Sequence, residues 1–227
     1  SLTVSISNNT FVGTTLSTTG STYLIYNNSS QLTPGVTNVT GNTVSGVINR
    51  TGATGTTYCY YNNGSPTGIE NIFNNVFDSV NTTGTGALYG ILSTTGSSHT
   101  HNIFNNTIRN FTGGTGTVYG IHRTLASGSI YENSVYNLAG GGTIYGLSNG
   151  TGTNNIYRNN INNLSTSSTA TTAGLVSGIY ISGVTNHYVY NNFISDLKAP
   201  LAASTDAIRG INCTATTASS NLGLYYN

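Results

Sequence analysis

The sequence predicts an all-β fold, a solenoid of parallel strands stacked coil on coil, and three observations carry that expectation. The phrase HNIFNNTIRNF at residue 101 returns as ENIFNNVFDSV at 70, GSIYENSVYNL at 128, NNIYRNNINNL at 154 and HYVYNNFISDL at 187. Between these lies a second phrase, LYGIL at 88, VYGIH at 118, IYGLS at 144, VSGIY at 176 and IRGIN at 208, with weaker versions TYLIY at 22 and TYCYY at 57. Only 5% of the 227 residues are charged, whereas 36% are hydrophobic, with 29 Gly and 16 Tyr. Turn formers mixed with β-branched and aromatic residues call for short strands and tight turns, and the chain is too apolar for a disordered linker.

The first strand of each repeat is marked by an aliphatic residue at Ile6, Val39, Ile72, Ile103, Ile130, Ile156 and Val189, spaced 26 to 33 residues apart. Three residues later stands an Asn in every case: Asn9, Asn42, Asn75, Asn106, Asn133, Asn159 and Asn192. Asn tolerates the left-handed backbone of a sharp corner, and its amide can hydrogen-bond to the same residue one coil away. The column is therefore expected both to turn the chain and to form a ladder.

The second strand carries Phe11, Val44, Phe77, Ile108, Val135, Ile161 and Ile194, followed by Thr14, Val47, Val80, Phe111, Leu138, Leu164 and Leu197. A spacing of three puts both sets inward only if the chain bends between them, near Asn110, Asn137, Asn163 and Asp196. The third strand is the Tyr-Gly phrase. Its Gly90, Gly120, Gly146, Gly178 and Gly210 make a strip without side chains, suited to close approach by a neighbour or to a tight bend. Length varies mostly in the Thr/Gly/Ser-rich joins, as loops on a regular scaffold do. The expectation is about seven coils of 26–35 residues, with three short strands each and apolar columns that only stacking can bury.

The recurring I-[FY]-x-N-x-[IV]-x-[ND]-[LF] pattern spans nearly the whole chain, and through it the chain resembles the right-handed parallel β-helix repeat proteins of the broad pectate-lyase-like superfamily. Its Thr/Gly/Asn-rich style is similar to that of secreted surface proteins of Bacteroidota-type bacteria, which implies an extracellular or cell-surface location. The sequence opens just before one motif, and Leu224 to Asn227 begins another. Residues 1–227 are accordingly expected to be a single β-helix domain, a segment of a longer repeat protein.

A net charge of +1 without a basic cluster argues against nucleic acid as a partner, and no apolar run is long enough to insert in a membrane. By the resemblance, members that cleave acidic polysaccharides use clustered acids holding calcium, with an Arg or Lys as base. The acids here are Glu70, Asp78, Glu132, Asp196 and Asp206. Column alignment stacks Glu132 on Arg158 and Asp78 on Arg109, which reads as two surface ion pairs. Asp196 falls in a corner column, and paired-carboxylate chemistry would need a loop to bring Asp206 beside it. His99 and His101 approach the column of Glu70, yet no third ligand stands nearby, so polar residues just outside a strand are expected and no metal or cofactor. His122 and His187 are isolated by column, and no nucleophile elbow, phosphate loop or Cys-x-x-Cys occurs. Cys59 and Cys213 sit five coils apart, roughly 24 Å at strand spacing, too far for a disulfide. Both are expected to be unpaired and partly buried.

One residue after the aliphatic position comes an outward column, Phe73, Phe104, Tyr131, Tyr157 and Tyr190. These five are the candidate binding residues, for sugar rings or a neighbouring protein domain. The structural alternative is rings that stack on one another or lie under side loops. The functional expectation is a non-catalytic extracellular structural or adhesive solenoid. Its alternative is a polysaccharide lyase or glycoside hydrolase of the β-helix class. Ice binding needs flat Thr arrays on equal coils, which the unequal periods oppose.

Overall fold

The structure is a computed structural model and describes residues 2–29, 35–64, 68–94, 99–172, 174–183, 186–214 and 221–227. Among these residues all regular elements are strands, and each strand pairing is parallel. One coil shows the plan: Ile69–Phe73 in the first sheet, Val76–Asp78 and Val80–Thr82 in the second, Leu88–Ser93 in the third. The next coil repeats it with Thr100–Phe104, Thr107–Thr112 and Val118–Leu125. Three strands per coil build sheets of 8, 8 and 7 strands, a β-solenoid.

The aliphatic columns are in register. Ile6 pairs with Val39, and the pairing continues through Ile72, Ile103, Ile130, Ile156, Val189 and Leu224. From Val39 to Val189 these side chains are fully buried, as are Phe77, Ile108, Val135 and Ile161 of the second sheet. The glycine strip faces this interior. A Cβ at Gly120 would lie 2.4 Å from Val135 Cγ1, and one at Gly146 would lie 2.5 Å from Ile161 Cγ2. The neighbour that approaches closely is thus the opposite sheet of the same molecule, whose branched side chains fill the space a third-sheet side chain would need.

The first corner departs from expectation by one residue. Left-handed backbone falls on Asn8, Asn74, Asn105, Glu132, Arg158 and Asn191, at φ of 53–57°, with Gly41 in the same place. The repeated Asn follows it and points inward. Asn75 Oδ1 accepts from the backbone N–H of Asn42 at 3.0 Å and from its amide at 2.9 Å. Asn75 Nδ2 donates to Val39 O, Phe73 O and Asn106 Oδ1 at 2.9, 3.1 and 2.9 Å. The ladder runs from Asn9 to Asn227. A corner residue that turns left-handed sends its side chain to solvent, so one residue cannot serve both tasks.

The second corner stands where the spacing put it, with Asn110, Asn137, Asn163 and Asp196 at φ of 50–57°. Its amides form an outer ladder. Asn163 donates to Asn137 at 2.7 Å, Asn137 to Asn110 at 2.8 Å and Asn110 to Asp78 at 2.8 Å, while Lys198 Nζ donates to Asn163 Oδ1 at 3.2 Å. An acceptor-only carboxylate thus closes one end and a donor-only ammonium the other. Early in the chain Gly46, at φ +84°, inserts an extra residue, and the register shifts between Val12 and Thr14. Ile48 consequently takes the core place expected for Val47, which is 45% exposed.

Candidate functional site

The predicted aromatic residues stand together on the outer face of the first sheet. Phe73, Phe104, Tyr131, Tyr157 and Tyr190 are half-buried and stack in succession at 4.9–5.0 Å, with planes within 4° of parallel. Such offset stacks are favourable in themselves. Each ring gives its face to a neighbour, leaving edges and three tyrosine hydroxyls toward solvent.

A second aromatic face, on the third sheet, escaped the sequence reading. Tyr23, Tyr58, Tyr89, Tyr119 and Tyr145 form one outward column by register. Tyr26, Tyr61, His122 and Tyr180 share the adjacent column, which buried Leu92 and Ser148 interrupt. Tyr58 lies 4.8 Å from both Tyr23 and Tyr61, and His122 lies 4.8 Å from Tyr119. The repeated Tyr of the Tyr-Gly phrase was a readable signal for the first of these columns. The second column was hidden, because Gly90 and Ile91 both face inward and so shift the alternation by one residue.

Each of the five carboxylates has a partner. Arg109 Nε lies 2.8 Å from Asp78, Arg158 Nη1 3.4 Å from Glu132, and Lys198 Nζ 2.8 Å from Asp196. Arg209 pairs with Asp206. The two column-predicted pairs are therefore present, Asp196 turns a corner, and Asp206 is engaged by an arginine three residues on, in the strand Ile208–Cys213. The fifth acid, Glu70, is completely buried.

Glu70 belongs to a polar seam inside the core, and this corrects the expectation for the His99–His101 segment. His101 is fully buried and His99 is 6% exposed, because the start of the first-sheet strand faces the interior rather than solvent. His101 Nδ1 lies 2.5 Å from Ser93 Oγ and 3.3 Å from Glu70 Oε2, and Tyr60 Oη donates to Glu70 Oε1. Both the serine and the carboxylate meet the same ring nitrogen, which is not the relay of a catalytic triad. Beyond His101 the seam continues through buried Arg123, which donates to His101 O at 2.8 Å, to Asn149 Oδ1 at 2.9 Å and to Asn154 Oδ1. Asn149 and Asn154 in turn approach His187 Nδ1 at 3.3 and 3.5 Å, so His187 is not isolated. Burial pushes Arg123 down to about 9, which leaves it charged at neutral pH. Among the described residues no group of three or more His, Cys, Asp or Glu is placed to hold a metal ion.

The seam sets a pH dependence. Burial, with the Arg123 charge nearby, pushes His101 down to about 3, and burial also lowers His187. On unfolding both rings regain an ordinary pKa of about 6.5. The unfolded state then binds more protons, so stability falls as the pH drops below about 6.5, on the order of 1 kcal/mol per pH unit for His101, with His187 acting in the same direction. Glu70, raised by burial, acts in the opposite sense. Its contribution is present below about 4.5 and is lost as the pH rises through its folded value, which offsets part of the histidine effect. Urea midpoints measured from pH 7 to 4 are expected to fall steadily. A midpoint independent of pH would contradict neutral, buried rings.

Cys59 and Cys213 are unpaired, as expected; Cys59 is fully buried, however, and Cys213 is exposed. No helix among the described residues is long and apolar enough to cross a membrane. Comparison with protein-family models, with curated proteins and with solved structures finds no match for this chain.

Proposed function

We propose that this chain is a non-catalytic extracellular scaffold or adhesive solenoid whose aromatic faces dock a glycan or a neighbouring protein domain. The observation that carries the reading is the tyrosine face of the third sheet. Its main column runs the length of five coils with rings 4.5–5.2 Å apart, and Tyr26, Tyr61 and Tyr180 flank it in the adjacent column. A linear polymer lying along the axis would meet one ring and one phenol hydroxyl per coil. Aromatic surface with a polar tip suits sugars, which offer C–H faces and hydroxyls together. The face carries no carboxylate, which favours a ligand without a requirement for cationic groups.

The engagement of the five carboxylates supports the non-catalytic part. A lyase or hydrolase of this architecture needs acids free to bind calcium or to move protons. The Thr/Gly/Asn-rich composition supports the surface location.

The test is a glycan array probed with the parent chain and two double variants. Tyr58→Ala/Tyr61→Ala is expected to lose binding, whereas Tyr131→Ala/Tyr157→Ala on the first sheet is expected to retain it. Loss in the second variant alone would move the site to the first-sheet ladder. Turnover of an acidic glycan by the parent chain would overturn the reading altogether.

A further inference from the structure

We propose that the tyrosine face of the third sheet is a one-electron relay that ends in an oxidative cross-linking site, where Tyr26 is coupled to Tyr23 or Tyr61 by a peroxidase-class oxidant. The chain of phenols is continuous. Tyr180 lies 4.9 Å from Tyr145, Tyr145 5.2 Å from Tyr119, Tyr119 4.5 Å from Tyr89, Tyr89 5.2 Å from Tyr58 and Tyr58 4.8 Å from Tyr23. The first-sheet ladder differs in chemistry, since Phe73 and Phe104 cannot form phenoxyl radicals.

Composition directs oxidation to these rings. The sequence has no Trp and no Met, and Cys59, one of its two cysteines, is fully buried. A phenol that gives up one electron and its proton becomes a phenoxyl. A neighbouring phenol restores it by passing on an electron and a proton, so the vacancy moves one ring along. No ring of the face is fully buried, which leaves water within reach of each exchange.

The far end of the relay has a different geometry. Along the column, planes lie within 25° of parallel, face against face. Tyr26 instead tilts by 43° against Tyr23 at 5.0 Å and by 32° against Tyr61 at 5.5 Å. That tilt breaks the face-to-face stacking with both neighbours, and Tyr23 and Tyr26 are 43% and 48% exposed. Two phenoxyls there join through carbons ortho to their oxygens, and each ring then loses the displaced hydrogen as a proton. With hydrogen peroxide as the oxidant, two phenols and one peroxide give one biphenol and two waters. Two C–H bonds and the O–O bond are replaced by a C–C bond and two new O–H bonds.

The exposed Cys213 allows a directed test. It pairs with Ile181, one residue beyond the Tyr180–Asn212 register pair, so a ruthenium polypyridyl photo-oxidant tethered to its thiol lies one residue from the opposite end of the relay. A cobalt(III) ammine serves as the irreversible electron acceptor. Illumination is expected to produce dityrosine fluorescence and a cross-linked peptide containing Tyr26. Tyr89→Phe/Tyr119→Phe keeps the stacked rings but removes two phenols, and is expected to lose that cross-link. Tyr26→Phe is expected to lose it as well. An undiminished cross-link in the relay-broken variant, or cross-links confined to tyrosines other than Tyr26, would overturn the proposal. So would absence of the cross-link in the labelled parent chain.

Discussion

Asn106→Ala is expected to destabilise the solenoid by roughly 3–5 kcal/mol, the sum of several buried polar groups left without partners. Asn106 is 1% exposed. Its Oδ1 accepts from the backbone and side-chain amides of Asn75, and its Nδ2 donates to Ile72 O, Phe104 O and Asn133 Oδ1. Alanine strands the Asn75 backbone N–H and the carbonyls of Ile72 and Phe104 in a place that water does not reach, while Asn133 Oδ1 and the Asn75 amide keep their remaining partners. For a chain of this length the loss corresponds to a fall in melting temperature of roughly 6–20 °C. Asn106→Asp should fare little better, because an acceptor-only carboxylate cannot serve Ile72 O or Phe104 O. The comparison is Asn137→Gly in the exposed outer ladder, which keeps the left-handed corner; water replaces the lost bonds and the cost should stay below about 1 kcal/mol. Equal losses at the two positions would contradict the claim that burial gives the inner ladder its weight. Because a solenoid coil touches only its neighbours, hydrogen exchange should rise first in the coils beside Asn106.

Arg123→Met is expected to be comparably damaging, at roughly 3–5 kcal/mol, the sum of several buried acceptors left without a donor. Methionine keeps much of the volume but leaves His101 O, Asn149 Oδ1 and Asn154 Oδ1 without their donor. Adding Glu70→Gln measures whether the carboxylate beyond His101 shares in that loss. The double-mutant cycle, read by urea unfolding, gives the coupling directly. Additive losses would show that the two groups are energetically independent despite the Ser93–His101 link between them.

Much of the fold is legible in the sequence because stacking imposes the same demand on every coil. Ile103 must be buried for the same reason as Ile72 and Ile130, so the column repeats and the register can be counted. The second corner is legible too, since two inward residues three apart force a bend at Asn110. The first corner was misplaced by one residue because two neighbouring asparagines, Asn105 and Asn106, are chemically alike. Only the direction of each side chain separates the turn from the ladder. The predicted ion pairs at Arg109 and Arg158 followed from column alignment alone, as did the aromatic stack from Phe73 to Tyr190.

The polar seam and the second column of the tyrosine face were not legible, for a shared physical reason. Both depend on which way a side chain points beyond a kink in the third strand. At Gly90 and Ile91 two successive residues face inward, so Tyr61 and Tyr180 emerge outward and Ser93 and Arg123 turn to the core. Composition at these places is ordinary. By itself the sequence determined the architecture, the strand columns and the Asn spine, because periodic burial writes itself into a repeating pattern. The tertiary structure alone decided that Glu70, Ser93, His101 and Arg123 meet inside while the tyrosines assemble outside. Their meeting depends on backbone direction at a bend, which no single coil's residues reveal.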